Sequence, residues 1–353
     1  MGIASSPRPI RVVLVDDSAY LRLVYRRALE READLEVVGE ARDGLEALEV
    51  VQRTDPDVLT LDVEMPRLDG LETLRRLMAR RPRPVIMVSS LTTEGAMVTV
   101  RALELGAVDF VPKPDPRVAD ALDEMLRQLV TKLRIAALAR LRGQVPACRP
   151  TAVPPRRRPP LPIARSARTL VVIGCSTGGP RALTEVVPRL DPTLPAAYVL
   201  VQHMPAGFTR SLAERLDQLA PLPVKEAEEN DPLAPGQALV APGDRHLIVG
   251  PRSVALSQAP RLHGVRPAVD VTLQSAAAAH GARTVAVILT GMGSDGAEGA
   301  AAVRAAGGRV IAEDAATCVV DGMPRVVRER GLADLVLPLD RIADGIARLV
   351  QEG

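Results

Sequence analysis

Short apolar runs that each end in a charged residue constrain the fold of this chain more than any other feature. Ile10-Arg-Val-Val-Leu-Val15 runs into Asp16-Asp17, Val58-Leu-Thr-Leu61 into Asp62, and Phe110-Val-Pro112 into Lys113-Pro114. Further strand-like runs lie at 36–39 and 85–88. Between them, Leu21, Val24, Tyr25, Ala28 and Leu29, and later Leu71, Leu74, Leu77 and Met78, recur at helical spacing. Another apolar stripe extends from Val118 to Leu133. Alternating strands and helices predict a doubly wound parallel sheet whose strands end at one crevice. Carboxylates gathered there repel one another unless a cation joins them, and carboxylate oxygens beside a phosphate suit Mg²⁺. The pattern predicts a phosphoryl-accepting aspartate. A lone Asp at a strand end is most simply a solvated loop acid. Four charged groups in register with successive strand ends are harder to explain that way.

Residues 143–168 break this pattern with seven Pro, six Arg and no acid. Such a composition cannot bury a core and predicts a flexible linker. Without those six charges, 39 basic residues face 43 acidic ones, so the rest of the chain is mildly acidic. The run Arg156-Arg-Arg158 could touch an acidic surface, but a soluble linker is the simpler reading. After it, runs at 170–173, 197–201, 285–289 and 310–312 predict a second parallel sheet. The Pro- and Gly-rich stretch 224–257 predicts antiparallel hairpins. The expected organisation is a doubly wound parallel-sheet α/β domain at 1–142, the linker at 143–168, and a second doubly wound, Rossmann-like α/β domain at 169–353.

Several function classes lose support. Aromatic residues make up only 1% of the chain and Trp is absent, which leaves few platforms for stacking bases. No basic recognition helix stands outside the linker, so DNA is not an expected partner. Cys148, Cys175 and Cys318 have no metal-ligand spacing and cannot all pair. No run approaches a membrane span, and residues 1–11 lack the apolar core of a secretion signal. A cytoplasmic setting without membrane insertion is expected.

Leu170-Val-Val-Ile-Gly-Cys-Ser-Thr-Gly-Gly-Pro180 predicts a strand, a glycine turn and a helix start. Gly174-Cys-Ser-Thr-Gly178 fits the nucleophile-elbow pattern, with Ser176 at the tip and helix amides available for an oxyanion. Pro180 stands where a Walker loop needs lysine. A serine nucleophile needs a base. His203 follows the run 197–201, expected beside the Ser176 strand; His246 and His263 are alternatives, while His280 fits a structural role. Asp295, Asp270 and Asp244 compete to orient the imidazole. The loop Gly291-Met-Gly-Ser-Asp-Gly296 also fits G-x-G-x-x-G, with Glu313 and Asp314 about 20 residues on. By pattern alone it could serve a dinucleotide-dependent enzyme. Asp295 inside a pyrophosphate loop argues against that, as do Ser176 and His203 left unexplained.

Residues 10 to about 135 resemble the receiver domain of bacterial response regulators, on Asp16, Asp17, Leu61-Asp-Val-Glu-Met-Pro-Arg-Leu-Asp-Gly70, Ser89, Phe110 and Lys113-Pro114. The resemblance implies that Asp62 accepts a phosphoryl group from a histidine kinase. It implies that Asp16, Asp17, Asp62 and the Glu64 carbonyl hold Mg²⁺, that Lys113 meets the phosphoryl oxygens, and that Ser89 and Phe110 are switch positions. Gly174–Gly179, Gln202-His-Met-Pro205, Ala241-Pro-Gly-Asp-Arg-His246, Arg266-Pro-Ala-Val-Asp270, residues 289–296 and Asp321-Gly-Met-Pro324 resemble the chemotaxis protein-glutamate methylesterase family. This second resemblance implies Ser176 as nucleophile, His203 as base, Asp295 as orienting acid and the Met292 amide in the oxyanion hole, with no hydrolase cofactor. It implies methylated chemoreceptor helices as substrate and deamidation of receptor glutamines. It also implies that the unphosphorylated receiver restrains the hydrolase. Cys175 stands where the family usually has alanine and is expected to be small, buried packing. A non-catalytic response-regulator adaptor is the remaining alternative.

Overall fold

The computed structural model describes residues 8–114, 120–139 and 168–352. The linker expected at 143–168 lies outside these residues except for Arg168, as do Cys148 and Val118. Contacts divide the chain into two compact units, Met1–Arg149 and Pro150–Gly353.

The first unit holds β1 (Ile10–Val15), β2 (Leu35–Ala41), β3 (Val58–Asp62), β4 (Val85–Ser89) and β5 (Asp109–Pro112). They form one parallel sheet in the order β2-β1-β3-β4-β5. Helices α1 (Ala19–Leu29), α2 (Gly44–Thr54), α3 (Gly70–Arg80), α4 (Thr93–Glu104) and α5 (Ala121–Leu138) alternate with the strands. Polar side chains start several of them. Ser18 accepts from Leu21 N, Asp43 from Leu45 N and Glu46 N, and Asp69 from Glu72 N. Each such cap contributes about 1 kcal/mol. Strands β3 and β4 are buried along their whole length. That explains their near-continuous apolar sequence, since helices cover both faces of a parallel sheet. Each buried Val or Leu there contributes roughly 1.5–3 kcal/mol.

The second unit centres on a seven-stranded parallel sheet of order β14-β13-β12-β6-β7-β9-β8. Its strands are β6 (Thr169–Cys175), β7 (Ala196–Gln202), β8 (Val224–Glu226), β9 (Ala238–Val240), β12 (Thr284–Ile288), β13 (Arg309–Glu313) and β14 (Leu335–Leu337). The hairpin expectation for 224–257 holds only for its second half. There β10 (His246–Val249) and β11 (Val254–Ser257) pair antiparallel, whereas β8 and β9 join the main sheet as parallel strands. Runs this short carry too little periodicity to reveal their pairing direction. The residue pattern gives no sign of β14, whose three residues sit at the sheet edge with Val336 exposed and the other two half-buried. Helices α6 (Gly179–Val186), α7 (Phe208–Leu219), α8 (Val269–His280), α9 (Ala297–Ala305), α10 (Met323–Glu329) and α11 (Ile342–Glu352) complete the unit. Among the described residues no helix is long and apolar enough to cross a membrane.

Candidate active site and acid pocket

Adjacent strands β6 and β7 run in register to the pair Cys175 and Gln202, so Ser176 and His203 are the next residue on each. His203 N–H closes the ladder on Cys175 O at 3.2 Å. The two candidate catalytic residues therefore stand side by side at one rim. Among the described residues no hydrogen bond yet joins Ser176 Oγ to the imidazole. Such bonds are often long before substrate binds.

Asp295 reaches the same rim from the loop after β12. Its Oδ2 lies 2.7 Å from His203 Nε2. It also accepts from Val269 N at 2.7 Å, Asp270 N at 2.8 Å and Gly296 N at 2.9 Å. Burial alone would raise its pKa, but the His203 hydrogen bond and charge and the Asp270 and Val269 amides outweigh it and hold the carboxyl below its usual value. An ionised Asp295 fixes the tautomer: Nε2 carries the proton, and Nδ1 is left free to accept from Ser176.

The rivals sort by contact. Asp270 is also buried, but it pairs with His263 at 2.8 Å and accepts from Gly299 N at 2.7 Å. Its carboxyl is pushed up, first by burial and further by the charge of Asp295. Asp244 is exposed and pairs with Arg266 and Arg261. His246 is packed inside, accepting from Ala268 N and meeting Pro260 O. His280 meets Gly250 O.

The loop 289–296 belongs to this rim. Ser176 N donates to Thr290 O at 3.0 Å, and Thr290 Oγ1 donates to Thr177 O at 3.0 Å. A Cβ at Gly291 would lie 2.8 Å from Ser176 Cβ, so glycine alone permits this approach. Among the described residues nothing hydrogen-bonds the Met292 amide, and its side chain is exposed. Glu313, a candidate ribose ligand in the dinucleotide reading, faces inward instead. It is fully buried and accepts from Thr290 N at 2.8 Å. Asp314 folds onto its own loop, accepting from Ala316 N. The dinucleotide reading thereby loses both candidate acids. Cys175 is buried, and burial pushes its thiol far up, which removes it as a nucleophile.

In the first unit Asp16, Asp17 and Asp62 bring one oxygen each within 4.8 Å of one another. Lys113 Nζ lies 2.7 Å from Asp62 and 3.6 Å from Asp16. Burial, opposed by the Lys113 hydrogen bond and aided by the Asp16 charge, pushes Asp62 up to about 6. Burial raises Asp16 as well, and its Oδ2 has no hydrogen-bond partner. A crowded set of oxygen donors, in which Asp16 Oδ2 accepts no hydrogen bond and meets the Lys113 ammonium only at 3.6 Å, fits a hard divalent cation. Glu64 stands next to this set, its N–H directed at Asp62 Oδ1. Ser89 Oγ turns inward to Gly95 O at 3.2 Å and accepts from Thr99 Oγ1 at 2.7 Å. Phe110 is buried, with Lys132 Nζ 5.2 Å from its ring centre. Sequence reasoning missed Thr99, which occupies this hydroxyl network, and Tyr25, whose buried phenol is pushed up by burial and by the charges of Asp16 and Asp62. It also missed Thr290, in the glycine loop after β12, and Gln202, the last residue of β7, neither of which the pattern of residues marks out.

These two rims define a class of chain: a receiver sheet joined to an α/β unit with a serine–histidine–carboxylate edge. Comparison with known proteins makes the class specific. The response regulator receiver domain profile matches residues 12–126, and the CheB methylesterase profile matches 171–346. A protein-glutamate methylesterase/protein-glutamine glutaminase of Symbiobacterium thermophilum is 54% identical over 98% of this chain and 98% of its own. The protein of that name from Thermotoga maritima is 46% identical over 97% and 99%. The crystal structure of the Thermotoga maritima CheB methylesterase catalytic domain, 49% identical, covers 52% of this chain and 98% of its own with a TM-score of 0.50. The chain belongs to the protein-glutamate methylesterase/protein-glutamine glutaminase family.

Proposed function

We infer that this protein is a phosphorylation-activated serine hydrolase that removes methyl groups from glutamyl methyl esters of chemoreceptors and deamidates receptor glutamines. The observation that carries the reading is the 2.7 Å contact of His203 Nε2 with Asp295, at a rim where Ser176 directly follows the neighbouring strand. Ser176 Oγ gives its proton to His203 Nδ1 and bonds to the ester carbonyl carbon. The Met292 amide donates to the resulting oxyanion. The intermediate collapses, the bond to methoxide breaks, and His203 returns the proton to release methanol. Water then attacks the acyl-serine by the same proton route, and the glutamate carboxylate leaves. With glutamine the first leaving group is ammonia. Asp295 holds the imidazole in one tautomer and stabilises its cation.

In the receiver, Asp62 is the phosphoacceptor, and a chemosensory histidine kinase is the donor. Asp16, Asp17, Asp62 and the Glu64 carbonyl would hold Mg²⁺, which supplies charge neutralisation for phosphoryl transfer. Lys113 contributes a fixed positive charge at Asp62, and Ser89 and Phe110 respond to the phosphoryl group. Activation requires that phospho-Asp62 favour the active arrangement over the restrained one, since equal affinity for both shifts nothing. The setting is cytoplasmic, and the partners are receptor helices, not DNA.

The test is methanol release from methylated receptor with and without phosphodonor. Ser176→Ala should abolish release while Asp62 still takes up phosphate; unchanged release removes Ser176 from its role. Asp62→Asn should leave basal release only, and a normal response to phosphodonor would refute the switch.

A further inference from the structure

Gln202 is a buried polar side chain at the hydrolase rim that the reaction above does not use. It is 2% exposed and ends β7. Its Nε2 donates to two main-chain carbonyls, Ser176 O and His203 O, each at 3.0 Å. Its Oε1 accepts from the Cys175 thiol at 3.1 Å. A flipped amide would turn its oxygen onto two carbonyl oxygens, so the network allows one orientation. Burial keeps Cys175 protonated, and hence a donor. The helix that follows Ser176 is shaped around this amide. Gly179 N–H donates to the same Ser176 carbonyl at 2.7 Å, and a Cβ at Gly179 would lie 2.0 Å from Gln202 Oε1.

The plain alternative is a buried glutamine that satisfies loose strand ends. The ladder between the two strands, however, already closes at His203 N and Cys175 O. Beyond that bond both chains leave the sheet, carrying the nucleophile and the base with them. Gln202 bridges them at that divergence.

We propose that Gln202 is a positioning residue that sets the approach of Ser176 to His203 by clamping both carbonyls, with Cys175 orienting the clamp. The proposal rests on the serine-hydrolase reading. It predicts an effect on turnover, since a misplacement of about 1 Å can cost roughly 100-fold.

In the full-length protein, Gln202→Met keeps the chain length and removes the donors. Its kcat for methanol release should fall about 10- to 100-fold, with KM, the unfolding midpoint and phosphate uptake at Asp62 near the parent's. Gln202→Glu should match it at high pH, where a carboxylate has no donor. On acidification the neutral acid regains one O–H, so its kcat relative to Gln202→Met at the same pH should rise. Parental kcat in a folded Gln202→Met overturns the clamp. If that variant fails to fold, a flat pH ratio of Gln202→Glu to the parent overturns it instead. The rate of Ser176 labelling by a fluorophosphonate separates the two readings. A parent that labels but releases no methanol refutes the substrate assignment alone, and the clamp then stands or falls on slower labelling of Gln202→Met.

Discussion

Asp62 ends a parallel strand and Asp295 lies in the loop after one, and both are almost fully buried. Their carboxyls nevertheless move in opposite directions, Asp62 upward and Asp295 downward. Burial acts alike on both, so the neighbours make the difference. Asp62 has one ammonium, a long contact from Glu64 N at 3.4 Å, and a like charge in Asp16. Asp295 has an imidazole and three close amides, set against the like charge of Asp270 beside it. The acid pocket is left short of positive charge, which suits a site that must receive a cation and a phosphoryl group. The hydrolase carboxylate is saturated in advance, which suits a group that must stay ionised and still through each turnover.

The largest expected effect follows from that saturation. Asp295→Asn puts an NH₂ among groups that already donate and breaks the tautomer of His203. Methanol release should fall about 10⁴-fold, or roughly 5.5 kcal/mol in the barrier, while phosphate uptake at Asp62 persists. A loss of less than tenfold would mean the two rims differ less than their contacts indicate.

A second carboxyl sharpens the contrast within the hydrolase unit. Glu313 is as buried as Asp295, yet burial pushes it up to about 7, against the pull of Thr290 N and of the Thr317 and Cys318 side chains. An acid raised in the folded state from 4.5 to about 7 contributes stability below its unfolded value, and loses it as pH rises through the folded one. Glu313→Gln should therefore gain on the parent as pH rises from 5 to 8, by roughly 3 kcal/mol at most. Denaturant melts at the two pH values would show it; an equal difference at both would refute the buried-acid account.

The smallest effect concerns the cation. Mg²⁺ at about ten times its dissociation constant should raise the stability of the unit holding Asp62 by roughly 1.4 kcal/mol. Asp16→Asn should shrink that gain, and the Ser176 unit should not respond. Equal stabilisation of both units would point to a general salt effect.

The legible parts of both sites share one property: they are strand ends. Apolar runs with charged or glycine punctuation located Asp62, Lys113 and Ser176 because a parallel sheet buries its strands and exposes their tips. Pattern could not choose among Asp244, Asp270 and Asp295. Asp244 and Asp295 lie in loops and Asp270 opens α8, and the choice depends on which of these the crossovers carry to the His203 rim. Nor could it show that β8 and β9 run parallel, since runs of three residues fit either direction.

By itself, the order of residues determined the two sheets, their alternation with helices and the strand tips where chemistry could occur, because periodicity and turn chemistry are local. Tertiary structure alone decided which tips meet. The partnership of His203 with Asp295, 92 residues apart, the inward turn of Glu313 and the grip of Gln202 on two carbonyls arise from strand order and register. Hydrogen bonds act over about 3 Å, and only the folded sheet brings such distant residues that close.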